Sequence, residues 1–273
     1  MSTVANLESP ASKPPRQQAG SQTLLRGLDV LEAVADGPIT LADLAERLGM
    51  NRSTTHRLAN ALVDRRYLTF TPRSGYRFGP KLLELGYLAQ EQADLVRLAR
   101  EHLEALAAAT EDTVHLGILD RELALYLAKI PGRRRVEISS RVGDRHPLTS
   151  TGLGKALLLD SSPSTWERLF HADDPNGRRD YDLWKTRMQG YADAGYAFDL
   201  EENEDQIRCV AAPVRNAGGE IVAALSVSSA AQYMADERME ALTEDVLETA
   251  HAISAELGWS PDHSKAKGPR KAR

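Results

Sequence analysis

Between Asn51 and Lys81 the chain carries seven basic residues, Arg52, Arg57, Arg65, Arg66, Arg73, Arg77 and Lys81, against one acid, Asp64. That segment stands at +6 inside a chain of formal net charge −5. Met1 to Met50 sums to −2, so Leu82 to Arg273 carries −9. Positive charge confined to one segment of an acidic chain suits the capture of a polyanion by that segment alone. The residue types fit nucleic acid: arginine can pair bidentately with guanine, while hydroxyls and backbone amides hold phosphates. Arg52, Ser53, Thr54, Thr55, His56 and Arg57 are the candidates for reading base edges, with Arg73 and Arg77 as flanking contacts. Arg65 and Arg66 are read as solvated.

These side chains need a scaffold, and the flanking sequence predicts one. Leu41, Leu44, Ala45 and Leu48 recur at helical spacing, with Thr40 and Asp43 as an N-terminal cap and Gly49 as a left-handed stop. Asn51 can start a second helix whose inner face holds Leu58, Ala61 and Leu62, with Thr55 beside them, and whose outer face is cationic. Tyr67 to Phe70 and Tyr76 to Phe78 read as short strands around a turn at Pro72 to Gly75, which puts Arg73 at the tip. A preceding helix over Ser21 to Ala35 completes a winged helix-turn-helix. The exposed second helix fits a DNA major groove, with its N-terminal residues reaching the bases.

Composition limits the alternatives. At 273 residues, 42% hydrophobic and 27% charged, the chain has room for two domains, and the charge asymmetry favours that division. No apolar run approaches the roughly 18 residues of a membrane span, and no secretory pattern opens the chain, so a cytoplasmic protein is expected. The single Cys209 excludes an intramolecular disulfide framework and a multi-cysteine zinc site, and no metal or cofactor is expected. An enzyme using Cys209 as nucleophile and a histidine as base is disfavoured: CVAAPV is an apolar strand with no helix start to acidify the thiol. A redox sensor at Cys209 would need an exposure that this strand does not suggest.

From Pro80 a leucine-rich helical stretch, with a break at Gly86, is expected to connect the domains and to pair with a second copy of itself. Beyond Thr113 strands are expected at Val114 to Leu119 and Leu123 to Ile130, with Val136 to Ser139 continuing the sheet. Helices follow at Gly152 to Leu159, Thr165 to Phe170 and Tyr181 to Ala194, then strands at Tyr196 to Asp199, Cys209 to Val214 and Ile221 to Ser228. Asp236 to Leu257 reads as a closing helix. The expected class is α+β with an antiparallel sheet. The expected division is a disordered tail at 1–20, the winged helix at 21–80, linker helices at 81–109, a sensor domain at 110–259 and a basic tail at 260–273. In Ile221 to Ser228, alternation puts Ser226 and Ser228 on a different face from Ala223, Leu225 and Val227. Gly152 to Gly154, at a helix start, can offer backbone amides to a carboxylate.

In this order the elements resemble the IclR family of bacterial transcriptional regulators. The resemblance rests on LLRGLDVLEAV at Leu24 to Val34, Arg52 to Leu62, YRFGPKLLELG at Tyr76 to Gly86, PLTSTGLGKAL at Pro147 to Leu157, and Gly195 to Val214 with Ile221 to Ser228. It implies a homodimer or dimer of dimers with a GAF-like C-terminal domain that binds a small effector, most often under repressor logic. It also implies that Gly152, Leu153, Asp199, Cys209, Ser226 and Ser228 line the effector site, and that the effector is a carboxylated metabolite of carbon catabolism: a sugar acid, small organic acid or aromatic acid. His115 and His146 could reach the same cavity, but as lone histidines they are read as structural and left out of the lining set. Gln206 and Thr149, where the family commonly has glycine and histidine, are expected to border the same pocket.

Overall fold

The computed structural model describes residues 21–92, 94–135 and 138–261 and separates into two compact units, Met1–Gln92 and Ala93–Arg273. The tails expected at 1–20 and beyond residue 261 lie outside the described residues.

In the first unit, helices α1 (Gln22–Glu32), α2 (Leu41–Arg47) and α3 (Arg52–Asp64) close around Val30, Val34, Leu44, Leu58 and Leu68. Thr40 caps α2, its hydroxyl accepting from the Asp43 amide. Gly49 turns the chain at φ +58, letting the Met50 amide donate to the Ala45 carbonyl at 3.0 Å. Asn51 then caps α3 by accepting from the Thr54 amide at 2.8 Å. The inner face of α3 is Thr55, Leu58 and Ala59; Ala61 is exposed, so the inner face is rotated from the expected one. Strands β1 (Leu68–Thr71) and β2 (Gly75–Phe78) form the wing. Gly75 is required there: at φ +87, a Cβ would lie 2.1 Å from the Ile39 carbonyl oxygen. Helix α4 (Pro80–Gln92) ends the unit and runs through Gly86 without the expected break.

The helical stretch resumes in the second unit as α5 (Leu95–Thr110), where Asp94 accepts from the Arg97 amide. Ala99, Leu103, Leu106 and Ala107 are buried in that unit's core, so α5 is a core helix and not a connector. The six-stranded antiparallel sheet has the order β5–β4–β3–β8–β7–β6. In chain order its strands are β3 (Thr113–Asp120), β4 (Leu123–Ile130), β5 (Arg145–Pro147), β6 (Ala197–Leu200), β7 (Ile207–Arg215) and β8 (Ile221–Ala230). One face packs Leu116, Val210, Leu225 and Val227 with α5 and the closing helix α9 (Asp236–Glu256). The other carries Ala124, Tyr126, Ala211 and Ala224 under α6 (Gly152–Leu157), α7 (Pro163–Asp173) and α8 (Tyr181–Ala194). The alternation expected for β8 holds: Ala223, Leu225 and Val227 go to one core and Ala224 to the other.

The strand expected at Val136 to Ser139 corrects to a strap. Val136 and Glu137 lie outside the described residues, and Ile138 to Ser140 pair with no strand. The carbonyls of Ile138 and Ser140 instead accept from the Lys129 ammonium at 2.6 and 2.8 Å. Helix α7 is longer than expected because Ser162 caps it and Pro163 opens it. Among the described residues, no helix is long and apolar enough to cross a membrane.

Candidate nucleic-acid interface and effector cavity

The cap at Asn51 brings the candidate base readers to the first two turns of α3. Arg52, Ser53, His56 and Arg57 are exposed and Thr54 is half-buried. Thr55 is fully buried, its hydroxyl donating to the Asn51 carbonyl at 3.1 Å. Facing the bundle core, it cannot touch a base, which corrects its place among the readers. The Ser53 hydroxyl donates to Asn51 Oδ1 at 2.9 Å, and His56 Nε2 lies 3.2 Å from Asn60 Nδ2. Arg73 sits at the wing tip in a left-handed conformation, φ 73, and Arg77 is exposed on β2 beside the buried Tyr76. Among the described residues no carboxylate pairs with Arg52, Arg57, Arg73 or Arg77, so their charge is available to a ligand.

In the second unit Asp199, Cys209 and Ser228 stand on one rung of the sheet, Asp199 opposite Cys209 and Cys209 opposite Ser228. They line one small cavity of about 30 Å³ with Tyr126, His115 and His146. Ser228 Oγ lies 3.1 Å from Cys209 Sγ and 3.4 Å from His115 Nδ1, and His115 Nε2 lies 2.7 Å from Ser140 Oγ. His146 Nε2 is buried with no hydrogen-bond partner among the described residues.

Asp199 is held in place from below. The fully buried Lys155 donates to the Phe198 carbonyl at 2.9 Å and to the Glu202 carboxylate, and the Glu202 amide donates to Asp199 Oδ1 at 2.9 Å. Burial pushes the Asp199 carboxyl up to about 6, although nearby Lys155 opposes the shift. His115 is pushed down to about 3, first by burial and then by the Lys129 cation, so it is a neutral imidazole. Burial raises Cys209, keeping it a thiol and removing the nucleophile that an enzyme at this position would need.

The three other expected residues are not among those that line the cavity. A Cβ on Gly152 would stand 3.1 Å from Cys209 Cβ, so this glycine packs beneath the floor. Leu153 belongs to the core under α6–α8, and Ser226 sits one rung further along, opposite His115. The Gly154 amide already donates to Thr151 Oγ1 at 3.0 Å. Gln206 and Thr149 are also absent from the lining. Gln206 has φ 63, a left-handed backbone that glycine adopts without strain. Thr149 turns to the helical layer, where Asp173 and Arg179 bond its hydroxyl. His115 and His146, which sequence reasoning places within reach of the cavity but reads as structural, join its lining, and so does Tyr126, which sequence reasoning does not raise. Alternation from Thr113 puts His115 on the Ser228 side only once β3 is paired with β8, and no single strand reveals that pairing.

A second polar centre adjoins the rung. The buried Asp112 carboxylate accepts from Ser229 Oγ at 2.7 Å, from Arg134 Nε at 3.2 Å, and from Arg238. Both arginines also donate to the Thr110 carbonyl, which ties the end of α5 to β8 and α9.

Comparison with known proteins settles the affiliation. Residues 87–255 match the description "Bacterial transcriptional regulator IclR C-terminal", and residues 23–72 match "IclR helix-turn-helix domain". The chain belongs to the IclR family. It is 32% identical over 253 residues to the DNA-binding transcriptional repressor YiaJ of Escherichia coli, covering 89% of this chain and 90% of that protein. It is 30% identical over 246 residues to the regulator XynR of the same organism, covering 87% and 98%. The crystal structure of Pseudomonas aeruginosa HmgR superposes with TM-score 0.75 at 23% identity, covering 88% of this chain and 99% of that one, which supports the fold. This IclR-family chain is therefore a DNA-binding transcriptional regulator of α+β class, and its relatives are regulators, not enzymes.

Proposed function

We propose that the chain is a cytoplasmic, homodimeric, effector-responsive repressor of catabolic genes. The carrying observation is the exposed, unpaired cationic face of α3 set by the Asn51 cap. Arg52, Ser53, Thr54, His56 and Arg57 read the operator major groove, and Arg73 and Arg77 hold backbone or minor groove. Exposed leucines on α1 (Leu24, Leu25, Leu28) and α4 (Leu83, Leu85, Leu88) supply apolar surface for a second copy. A small ligand seated against Asp199 and Ser228 shifts the balance between operator-competent and incompetent states. With the operator mapped by footprinting upstream regions, Arg57→Ala is expected to weaken binding roughly 5- to 150-fold, the about 1–3 kcal/mol of a bidentate base contact. Arg65→Ala is the control. Equal binding by Arg57→Ala and wild type rejects the recognition helix.

A further inference from the structure

A polar relay joins the reading helix to the wing. His56 and Asn60 lie four residues apart on the exposed side of α3, one turn above the other. Asn60 Nδ2 stands 3.2 Å from His56 Nε2. From the wing, the Tyr76 hydroxyl donates to Asn60 Oδ1 at 3.5 Å, a long bond. Tyr76 is firmly held: it is 2% exposed, its ring centre lies 5.1 Å from that of Phe70, and its amide and carbonyl both bond to Ile39, at 2.8 and 3.0 Å.

The chemistry of the three groups fixes their direction. Burial pushes Tyr76 up from its ordinary value, so the hydroxyl keeps its proton. Among the described residues Asn60 Oδ1 is the one acceptor for that proton. With the amide turned round, the hydroxyl would accept from Nδ2 and its own proton would be left without a partner in the protein. Oδ1 therefore faces Tyr76 and Nδ2 faces His56. An amide NH2 group donates and cannot accept, so Nε2 of the neutral ring must be the acceptor and the ring proton sits on Nδ1. Isolated histidine favours the opposite tautomer, Nε2–H.

The neighbouring readers have fixed roles too. Arg52 and Arg57 are donors, and the Ser53 hydroxyl gives its proton to Asn51 Oδ1, leaving its lone pairs outward. Nδ1 of His56 bonds to nothing else among the described residues. As a donor it suits the acceptor edges of guanine (N7, O6) or thymine (O4) and opposes the amino group of cytosine; as an acceptor it would do the reverse.

We propose that Asn60, turned by Tyr76, is a positioning residue that fixes the tautomer of His56, so that the recognition helix presents Nδ1–H to an acceptor edge of a base. This rests on the reading of His56 as a base contact. The wing thereby contributes to sequence choice through a residue that never touches DNA.

Nitrogen-detected NMR of the histidine rings in the full-length protein without DNA, at a pH alkaline to the ordinary imidazole range, tests the relay, with the His56 signals assigned by their loss in His56→Ala. Wild type should show Nδ1–H. Tyr76→Phe, which removes only the hydroxyl, and Asn60→Asp, whose carboxylate accepts at both ends, should each move the ring to Nε2–H. Asn60 is exposed, so its variant carries the test alone if Tyr76→Phe is unstable. Nε2–H in wild type, or Nδ1–H kept in the variants, overturns the relay. Operator binding tests the base contact separately. Tyr76→Phe should weaken the operator about fivefold, the loss of one hydrogen bond, leave unrelated DNA unchanged, and add nothing in a His56→Ala background. No effect of Tyr76→Phe, or an equal effect in both backgrounds, overturns the base contact even where the tautomer is as expected. Wild-type operator affinity in His56→Ala removes His56 from the readers, and Arg57→Ala still decides the recognition helix by itself.

Discussion

Asp199 joins stability to function in a single carboxyl group. Its folded value near 6 lies above the roughly 3.9 of a free aspartate, so the native state keeps a proton that the unfolded chain loses first. The stability this provides is complete below about pH 4 and is lost as pH rises through 6, a difference of up to about 3 kcal/mol. Asp199→Asn keeps an oxygen to accept from the Glu202 amide but cannot ionise. It is expected to gain stability relative to wild type as pH rises from 4.5 to 7, and to bind effector less well. Trp166, Trp184 and Trp259 all lie in the second unit, so urea unfolding followed by tryptophan fluorescence reports that unit alone. A constant gap between the two proteins across this range would reject the assignment. The sequence discloses Asp199, Cys209 and Ser228 through family resemblance and strand alternation. It does not disclose the contacts of Lys129 to the Ile138 and Ser140 carbonyls, because the β3–β4 register that sets Lys129 opposite His115 joins residues remote in sequence.

Among the elements, α3 is the most legible because its determinants are local: Asn51 as cap, Gly49 before it, apolar residues at helical spacing. Removing the cap tests how much the reading surface depends on it. Asn51→Ala loses the acceptor for the Thr54 amide and the Ser53 hydroxyl, and is expected to cost about 1 kcal/mol of first-unit stability. Faster amide exchange over residues 52–57 should accompany weaker operator binding, and Asn51→Ser should restore both. Normal exchange in Asn51→Ala would show that tertiary packing alone holds the helix start. The leucine-rich stretch after Pro80 is less legible. Helical periodicity identifies it as helix but cannot divide it, since Ala93–Asp94 carries no strong breaker and Gly86 is accommodated inside α4. Whether a leucine stripe packs on its own domain or on a copy is decided by what lies opposite, and α5 lies on β3 and α9.

For the whole molecule, charge divides with the fold: Met1–Gln92 sums to +2, with +6 of basic excess between Asn51 and Lys81, and Ala93–Arg273 sums to −7. That partition predicts a regulator whose operator affinity falls linearly in log salt, because the basic segment displaces counterions from phosphate. Arg73→Gln, at the wing tip, should reduce the magnitude of that slope by about one per protomer and weaken all sequences alike. Arg57→Ala should instead narrow the gap between operator and unrelated DNA. An unchanged slope in Arg73→Gln would place the wing away from the backbone. Topology is recoverable from sequence in class, α+β with an antiparallel sheet, but the strand order is not, because β8 inserts between β3 and β7 through pairings remote in sequence.

Ser228 and Ser229 are consecutive on β8, one facing the Cys209 cavity and the other bonded to Asp112 at the end of α5. One peptide joins the two residues, so a shift of the β8 backbone that moves one side chain also moves the other. This constrains how such a regulator acquires a new ligand over evolutionary time. Refitting the cavity by moving β8 at Ser228 therefore strains the Ser229–Asp112 clasp that anchors a core helix, whereas Ser139 and Asn203 reach the cavity from loops. Changes of specificity are therefore expected to accumulate around the rim of the cavity while its floor stays fixed, and a library randomised at the rim should yield more folded variants with altered responses than one randomised on β8.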